Sequence, residues 1–122
     1  MSEDDDHWLD ELVRSIDARN AQAFAAFLTV DACFRFGNAP AISGRDAIEA
    51  AVTSFFDSLA ALSHELRDRW TVGDVTICTG KVSYTRRDGR SLQVPFANVL
   101  KRRGGRIADY QVFIDNSALF AP

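Results

Sequence analysis

Three short turn signals, Val72-Gly73-Asp74, Asp88-Gly89 and Arg103-Gly104-Gly105, divide residues 62–115 into four runs of strand length, and this punctuation constrains the fold more than any other feature of the chain. Between the turns lie Lys81-Val82-Ser83-Tyr84-Thr85, Leu92-Gln93-Val94-Pro95-Phe96 and Ile107 to Ile114, rich in β-branched and aromatic residues. Asp88-Gly89 has the composition of a two-residue type I′ hairpin turn. The first half of the chain has helical spacing instead. Helices followed by an antiparallel meander predict an α+β domain whose helices cover one face of a curved sheet. A small molecule would bind in the hollow between the two layers.

Apolar periodicity places the elements. Trp8, Leu9, Leu12, Val13 and Ile16 recur at helical spacing behind Asp4 to Asp6, which sit at the favourable end of a helix dipole. Asn20 has the chemistry of a cap for a second short helix carrying Phe24, Phe27 and Leu28. Residues 31–36 form a short strand, Gly37-Asn38-Ala39-Pro40 turns the chain, and Ser43 or Gly44 opens a third helix. Its apolar stripe is Ile48, Ala51, Val52, Phe55, Phe56 and Leu59. No repeat or linker interrupts these segments, so residues 1–122 are expected to form a single domain with an acidic, disordered tail over residues 1–6.

Composition narrows the partners. No apolar run approaches the roughly 20 residues of a membrane helix, and the N-terminus is acidic, unlike a secretory signal, so a cytoplasmic protein without a membrane partner is expected. Cys33 and Cys78 have neither CxxC nor Cys/His spacing and are expected to be reduced core thiols. His7 stands beside three aspartates without a further ligand, so no metal and no cofactor are expected. Residues 1–61 carry a net charge of −7 and residues 62–122 one of +4. The basic residues cluster as Arg86, Arg87 and Arg90, and as Lys101, Arg102, Arg103 and Arg106. With no aromatic residues interleaved, they read as solvated hairpin tips rather than a nucleic-acid surface.

Several segments together carry a family resemblance. Ala18-Arg19-Asn20 ahead of an aromatic helix, Phe34-Arg35-Phe36-Gly37-Asn38, Ser43-Gly44-Arg45-Asp46-Ala47-Ile48, the Asp88-Gly89 hairpin, Val94-Pro95-Phe96 and Gly105-Arg106-Ile107 resemble the nuclear transport factor 2-like superfamily. Within it the chain looks most like a SnoaL-like or ketosteroid-isomerase-like member, from about Trp8 to Phe120. The resemblance implies a cone-shaped α+β fold, with three N-terminal helices packed on a strongly curved, mostly antiparallel sheet that encloses an apolar pocket, and a homodimer. Isomerases, dehydratases, cyclases, epoxide hydrolases and non-catalytic binders share this fold, so the fold alone selects no activity.

The residue-by-residue carry-over argues against two specific mechanisms, steroid-type isomerisation and limonene-type epoxide hydrolysis, and leaves isomerase, dehydratase or cyclase chemistry of another kind open. Ketosteroid isomerases use a carboxylate base on the first strand and an oxyanion hole built from a tyrosine on the first helix and a protonated aspartate on the third long strand. The corresponding residues here are Phe36, Leu12 and Ala97, none of which moves a proton or holds an enolate. Limonene epoxide hydrolases use an Arg-x-Asp pair on a strand with a second aspartate on the last strand. Arg86-Arg87-Asp88 imitates the pair but lies on the hairpin, and the matching strand positions hold Thr79, Lys81 and Val112.

What remains is a set of residues expected to face the hollow. Period-two alternation puts His64, Leu66, Asp68 and Trp70 on one face of their strand and Glu65, Arg67 and Arg69 on the other. Val82 and Tyr84 are expected to share the His64 face with Ala97, Val99, Tyr110, Val112 and Ile114. The expected ligand-binding wall is Leu12, Phe36, Phe56, Leu66, Trp70, Ala97, Val99 and Tyr110, with His64, Tyr84 and Asp68 as catalytic candidates. His64 suits proton transfer near neutral pH, with Asp68 orienting its ring; equally, it suits a core histidine bonded to a backbone carbonyl or to Tyr84.

Two function classes stay open. One is a cofactor-free enzyme moving a proton on a small apolar or aromatic, cyclic molecule through His64, with Tyr84 or Tyr110 polarising a carbonyl. The other is a non-catalytic binding or assembly module. A homodimer is expected through the opposite face of the sheet, to which the same alternation assigns Phe96, Asn98, Leu100, Gln111 and Phe113.

Overall fold

The computed structural model describes residues 7–121, and the acidic tail expected over residues 1–6 lies outside the described residues. Helices α1 (His7–Asp17) and α2 (Ala21–Ala25) precede strand β1 (Leu28–Phe36), the short β2 (Ile42–Ser43) and helix α3 (Arg45–Asp57). Four long strands follow: β3 (Leu59–Val72), β4 (Val75–Arg86), β5 (Ser91–Arg103) and β6 (Arg106–Ile114). They form one open six-stranded sheet in the order β2-β1-β6-β5-β4-β3. Only the β1–β6 pair is parallel, so the sheet is mixed. The architecture is α+β, with the helices on one face of the sheet, as expected. Among the described residues no helix is long and apolar enough to cross a membrane.

Local chemistry explains the helix ends. α1 buries Leu9 and Leu12 completely, and each such leucine contributes about 1.5–3 kcal/mol. Arg19, at a left-handed φ of 55°, ends the helix, and its guanidinium donates to the Leu59 carbonyl at 2.6 Å. The Asn20 side chain caps α2 by accepting from the Ala23 N–H at 3.0 Å. That helix stops at Ala25, before Phe27 and Leu28. The Phe27 carbonyl accepts from the Ile107 N–H at 2.8 Å, which draws the segment into the sheet beside β6 and starts β1 three residues earlier than expected.

One inserted residue in a hairpin loop inverts a whole strand. The Arg86 N–H donates to the Arg90 carbonyl at 2.7 Å and the Gly89 N–H to the Arg86 carbonyl at 3.0 Å, with Gly89 at φ 90°. The loop is therefore Arg87-Asp88-Gly89, a three-residue turn with a left-handed glycine, and not a two-residue type I′ turn. Asp88 favours this turn by accepting from the Arg90 N–H at 3.1 Å and pairing with Arg86 at 2.9 Å. Tyr84 consequently faces Leu92, Gly80 faces Phe96 and Cys78 faces Asn98. Phe96, Asn98 and Leu100 turn inward and are buried, whereas Ala97 and Val99 turn outward. This corrects the expected faces of Phe96, Ala97, Asn98, Val99 and Leu100.

A second inserted residue divides β3. Leu66 pairs with Gly80 and Asp68 with Thr79, so Arg67 is the extra residue of a β-bulge. Beyond it the alternation reverses. Arg69 and Thr71, opposite Cys78 and Thr76, join the inner face, and Asp68 and Trp70 join the outer one. Gly80 makes the bulge feasible, because a Cβ there would lie 2.1 Å from the Glu65 carbonyl oxygen. Gly80→Ala should therefore destabilise the fold by about 2–4 kcal/mol in urea unfolding. Gly73→Ala, at φ 58° with nothing near the added carbon, should lose only about 1 kcal/mol.

Candidate active site

Between the helices and the inner face of the sheet lies a cavity of ≈ 180 Å³. An apolar cavity of about 150 Å³ accommodates a benzene ring, so this one suits a ligand of one or two fused rings. α3 contributes Val52, Phe55 and Phe56, and β1 contributes Phe34 and Phe36. The aromatic rings meet edge to face, Phe55 with Phe36 at 5.2 Å and with Tyr84 at 5.8 Å, and Phe34 with Tyr110 at 5.3 Å. The polar groups set in this wall are His64, Tyr84, Asn98 and Tyr110.

His64 is held by a residue that the strand pattern does not reveal. Its Nδ1 lies 2.6 Å from Asp17 Oδ1, and its backbone N–H donates to Asp17 Oδ2 at 3.0 Å. A carboxylate oxygen only accepts, so Nδ1 carries the hydrogen and the neutral ring keeps its lone pair on Nε2. Phe96 packs edge-on against the ring at 5.3 Å. Asp17 is the last residue of α1, where the helix dipole disfavours a negative charge. Its two hydrogen bonds to His64 offset that disadvantage. The contact spans 47 positions of the chain, and the sequence hint would have been an acidic residue placed against the dipole beside cavity-lining Ile16.

Burial sets the state of the other polar groups. It pushes the Tyr84 phenol well above its ordinary value and the fully buried Tyr110 higher still, so both stay neutral and act as hydrogen-bond donors. Burial also raises the Cys78 thiol to about 11. Asn98, opposite Cys78 on the neighbouring strand, partly offsets that rise, and its Oδ1 has no partner among the described residues. Among the described residues no group of three or more His, Cys, Asp or Glu could hold a metal ion.

The structure thus brings Phe36, Phe56, His64, Tyr84 and Tyr110 to one cavity. It removes the others. Leu12 is buried in the helix layer behind the wall, and Ile16, one turn on, lines the cavity in its place. Leu66 lines a shallow groove along α1 with Asp10, Val13 and Asp17. Asp68 and Trp70 face outward past the bulge, so Asp68 cannot orient His64. Ala97 and Val99 face outward through the hairpin shift.

The profile of the SnoaL-like domain matches residues 9–110, most of the chain. The chain belongs to this family. No curated protein matches the SnoaL-like chain. Among solved structures, it is similar to a protein with a ketosteroid isomerase-like fold from Catenulispora acidiphila in complex with trimethylamine, with a TM-score of 0.82 and 15% identity over 89% of this chain and 85% of that one. A candidate SnoaL-like polyketide cyclase from Shewanella denitrificans has a TM-score of 0.83 and 10% identity over 97% of this chain and 95% of that one. Another, from a Jannaschia species, has a TM-score of 0.77 and 14% identity over 91% and 87%. At such identities these structures share the fold alone.

The two cysteines of this SnoaL-like domain differ in reactivity. With its thiol raised to about 11, only about one Cys78 in a thousand is thiolate at pH 8, whereas Cys33 is half-buried on the outer face. A disulfide reagent such as DTNB should label Cys33 first in the native protein and Cys78 only on unfolding, as peptide mapping would show.

Proposed function

We propose that this SnoaL-like domain takes a small hydrophobic, cyclic molecule into its cavity and moves a proton on it without a cofactor. The observation that carries this reading is the Asp17–His64 pair, which leaves Nε2 as the basic atom of a ring lining an apolar cavity. Nε2 would take a proton from a carbon or hydroxyl of the ligand, and Asp17 would stabilise the imidazolium formed. A neutral Tyr84 or Tyr110 would donate to the ligand carbonyl as negative charge develops there. Isomerisation, dehydration and cyclisation all use such a step, and the last suits the polyketide-cyclase names among the similar structures.

2-Tetralone, a two-ring ketone with acidic α-hydrogens, tests the chemistry without the native substrate. Exchange of those hydrogens in D2O, followed by NMR, should be faster with the protein than in buffer. It should fall by about 10²–10⁴ in His64→Ala and measurably in Asp17→Asn. Tyr84→Phe should have a smaller effect, since it removes one hydrogen bond and keeps the ring. Binding without exchange would favour the non-catalytic ligand-binding module. That second reading draws on Leu12 and Phe36, which carry no acid or base where the isomerase resemblance puts catalytic groups.

A homodimer through the outer face of the sheet completes the proposal, with Phe113 kept from the residues first expected and the β5 members replaced. Trp70, Ile77 and Val99 form a row across three strands, beside Ala97 and Phe113, and Trp70 and Phe113 are each more than half exposed. A second copy would cover this patch. Light scattering should give twice the monomer mass, and Trp70→Glu with Phe113→Glu should give a folded monomer; a wild-type monomer would refute this. Cys33 and Cys78 face opposite sides of the sheet and stay unpaired, which suits the reducing cytoplasm.

A further inference from the structure

We propose that Asn98 makes the cavity selective for a ligand that presents a hydrogen-bond donor, a phenolic or enolic hydroxyl on an aromatic or cyclic frame. This rests on the cavity being a ligand site and deepens that reading by naming the ligand's chemistry. Asn98 is only 7% exposed, lies on the inner face of β5 and lines the cavity. It stands directly opposite Cys78 across the β4–β5 pair, and its Oδ1 has no hydrogen-bond partner among the described residues. A buried carbonyl oxygen without a partner is unfavourable, and the inner-face neighbours Phe96 and Val112 offer it nothing. A leucine would fill the same place without that penalty. The unmet acceptor is therefore explained by a partner that arrives with the ligand.

The remaining polar groups complete the complement. Tyr84 and Tyr110, neutral through burial, donate and so match a carbonyl oxygen; Asn98 Oδ1 accepts and matches an O–H or N–H. On the inner face, Asn98 stands two side-chain rows along the sheet from His64, with the Gly80–Phe96 row between them. A ring system carrying a hydroxyl at one edge could engage Asn98 while another edge meets the base. An unsubstituted hydrocarbon of the same size would leave Oδ1 unpaired and bind less tightly.

2-Naphthol and 2-methoxynaphthalene share a frame, and only the first can donate. Calorimetric titration of the wild-type protein should give a Kd about tenfold lower for 2-naphthol. In Asn98→Leu the ratio should fall towards one, and the melting temperature should stay level or rise. Equal wild-type affinities would overturn the role of Asn98 and leave the cavity reading standing. The same holds if the preference survives in Asn98→Leu and vanishes in His64→Gln, since the hydroxyl then bonds the imidazole. Failure of both compounds to bind, together with no exchange of 2-tetralone, would overturn the cavity reading and this inference with it. The wild-type comparison stands even if the variant fails to fold.

Discussion

The close approach of the bulged β3 to Gly80 is the constraint on which the rest of the structure depends. His64 and Arg69 are five residues apart, an odd separation that would put them on opposite faces of a regular strand. The extra residue at Arg67 brings both to the inner face, where α1 meets them twice: Asp17 holds His64, and Asp10 pairs with Arg69 at 2.7 Å. The hydrogen bond from Arg69 holds the Asp10 carboxyl below the usual carboxylate range. Asp10 and Asp17 lie about 10 Å apart along the helix axis. Two anchors at that spacing fix both the position of α1 along β3 and its rotation about its own axis. The position of His64 in the cavity follows from them, and it requires a glycine at position 80.

Much of the fold was legible because its signals are local. Helical stripes, the Asn20 cap and the glycine turns lie within a few residues of what they determine, and β6, read with the right parity, kept Tyr110, Val112 and Ile114 on the inner face. What failed was parity elsewhere. Strand alternation carries a single bit of information, in or out, and one inserted residue reverses it for all that follows. The Arg87-Asp88-Gly89 loop did so for β5 and the Arg67 bulge for the far half of β3. Neither is visible in composition: Asp-Gly is compatible with both loop lengths, and Gly80 explains the bulge only once Glu65 is known to lie across from it. Asp17 stayed hidden because its meaning lies in a contact with a residue far along the chain.

In an apolar cavity, chemical character depends less on which polar residues are present than on which of their atoms already have partners. The imidazole has one nitrogen engaged and one left over; the phenols are kept protonated by burial; the carboxamide oxygen has no partner among the described residues. The polar atoms in the cavity wall are thus an imidazole, two phenols and a carboxamide oxygen. Such a surface discriminates by the pattern of hydrogen bonds rather than by attraction of ions, and it leaves the aromatic rings to define shape.

The strand order leaves β3 at one margin of the sheet, a run of 14 residues with β4 on one side only. Unpaired backbone groups along such a margin invite another strand to add itself, the usual route to runaway self-assembly. The C-terminal end of α1 closes part of this margin: Arg19 covers the Leu59 carbonyl, and Asp17 covers the N–H of His64. At the opposite margin, β2 is only two residues long and offers little to extend. Asp17 therefore also occupies one of the backbone groups that an added strand would need. A chain that lost this carboxylate would forfeit its hold on the imidazole and uncover a place where aggregation can begin.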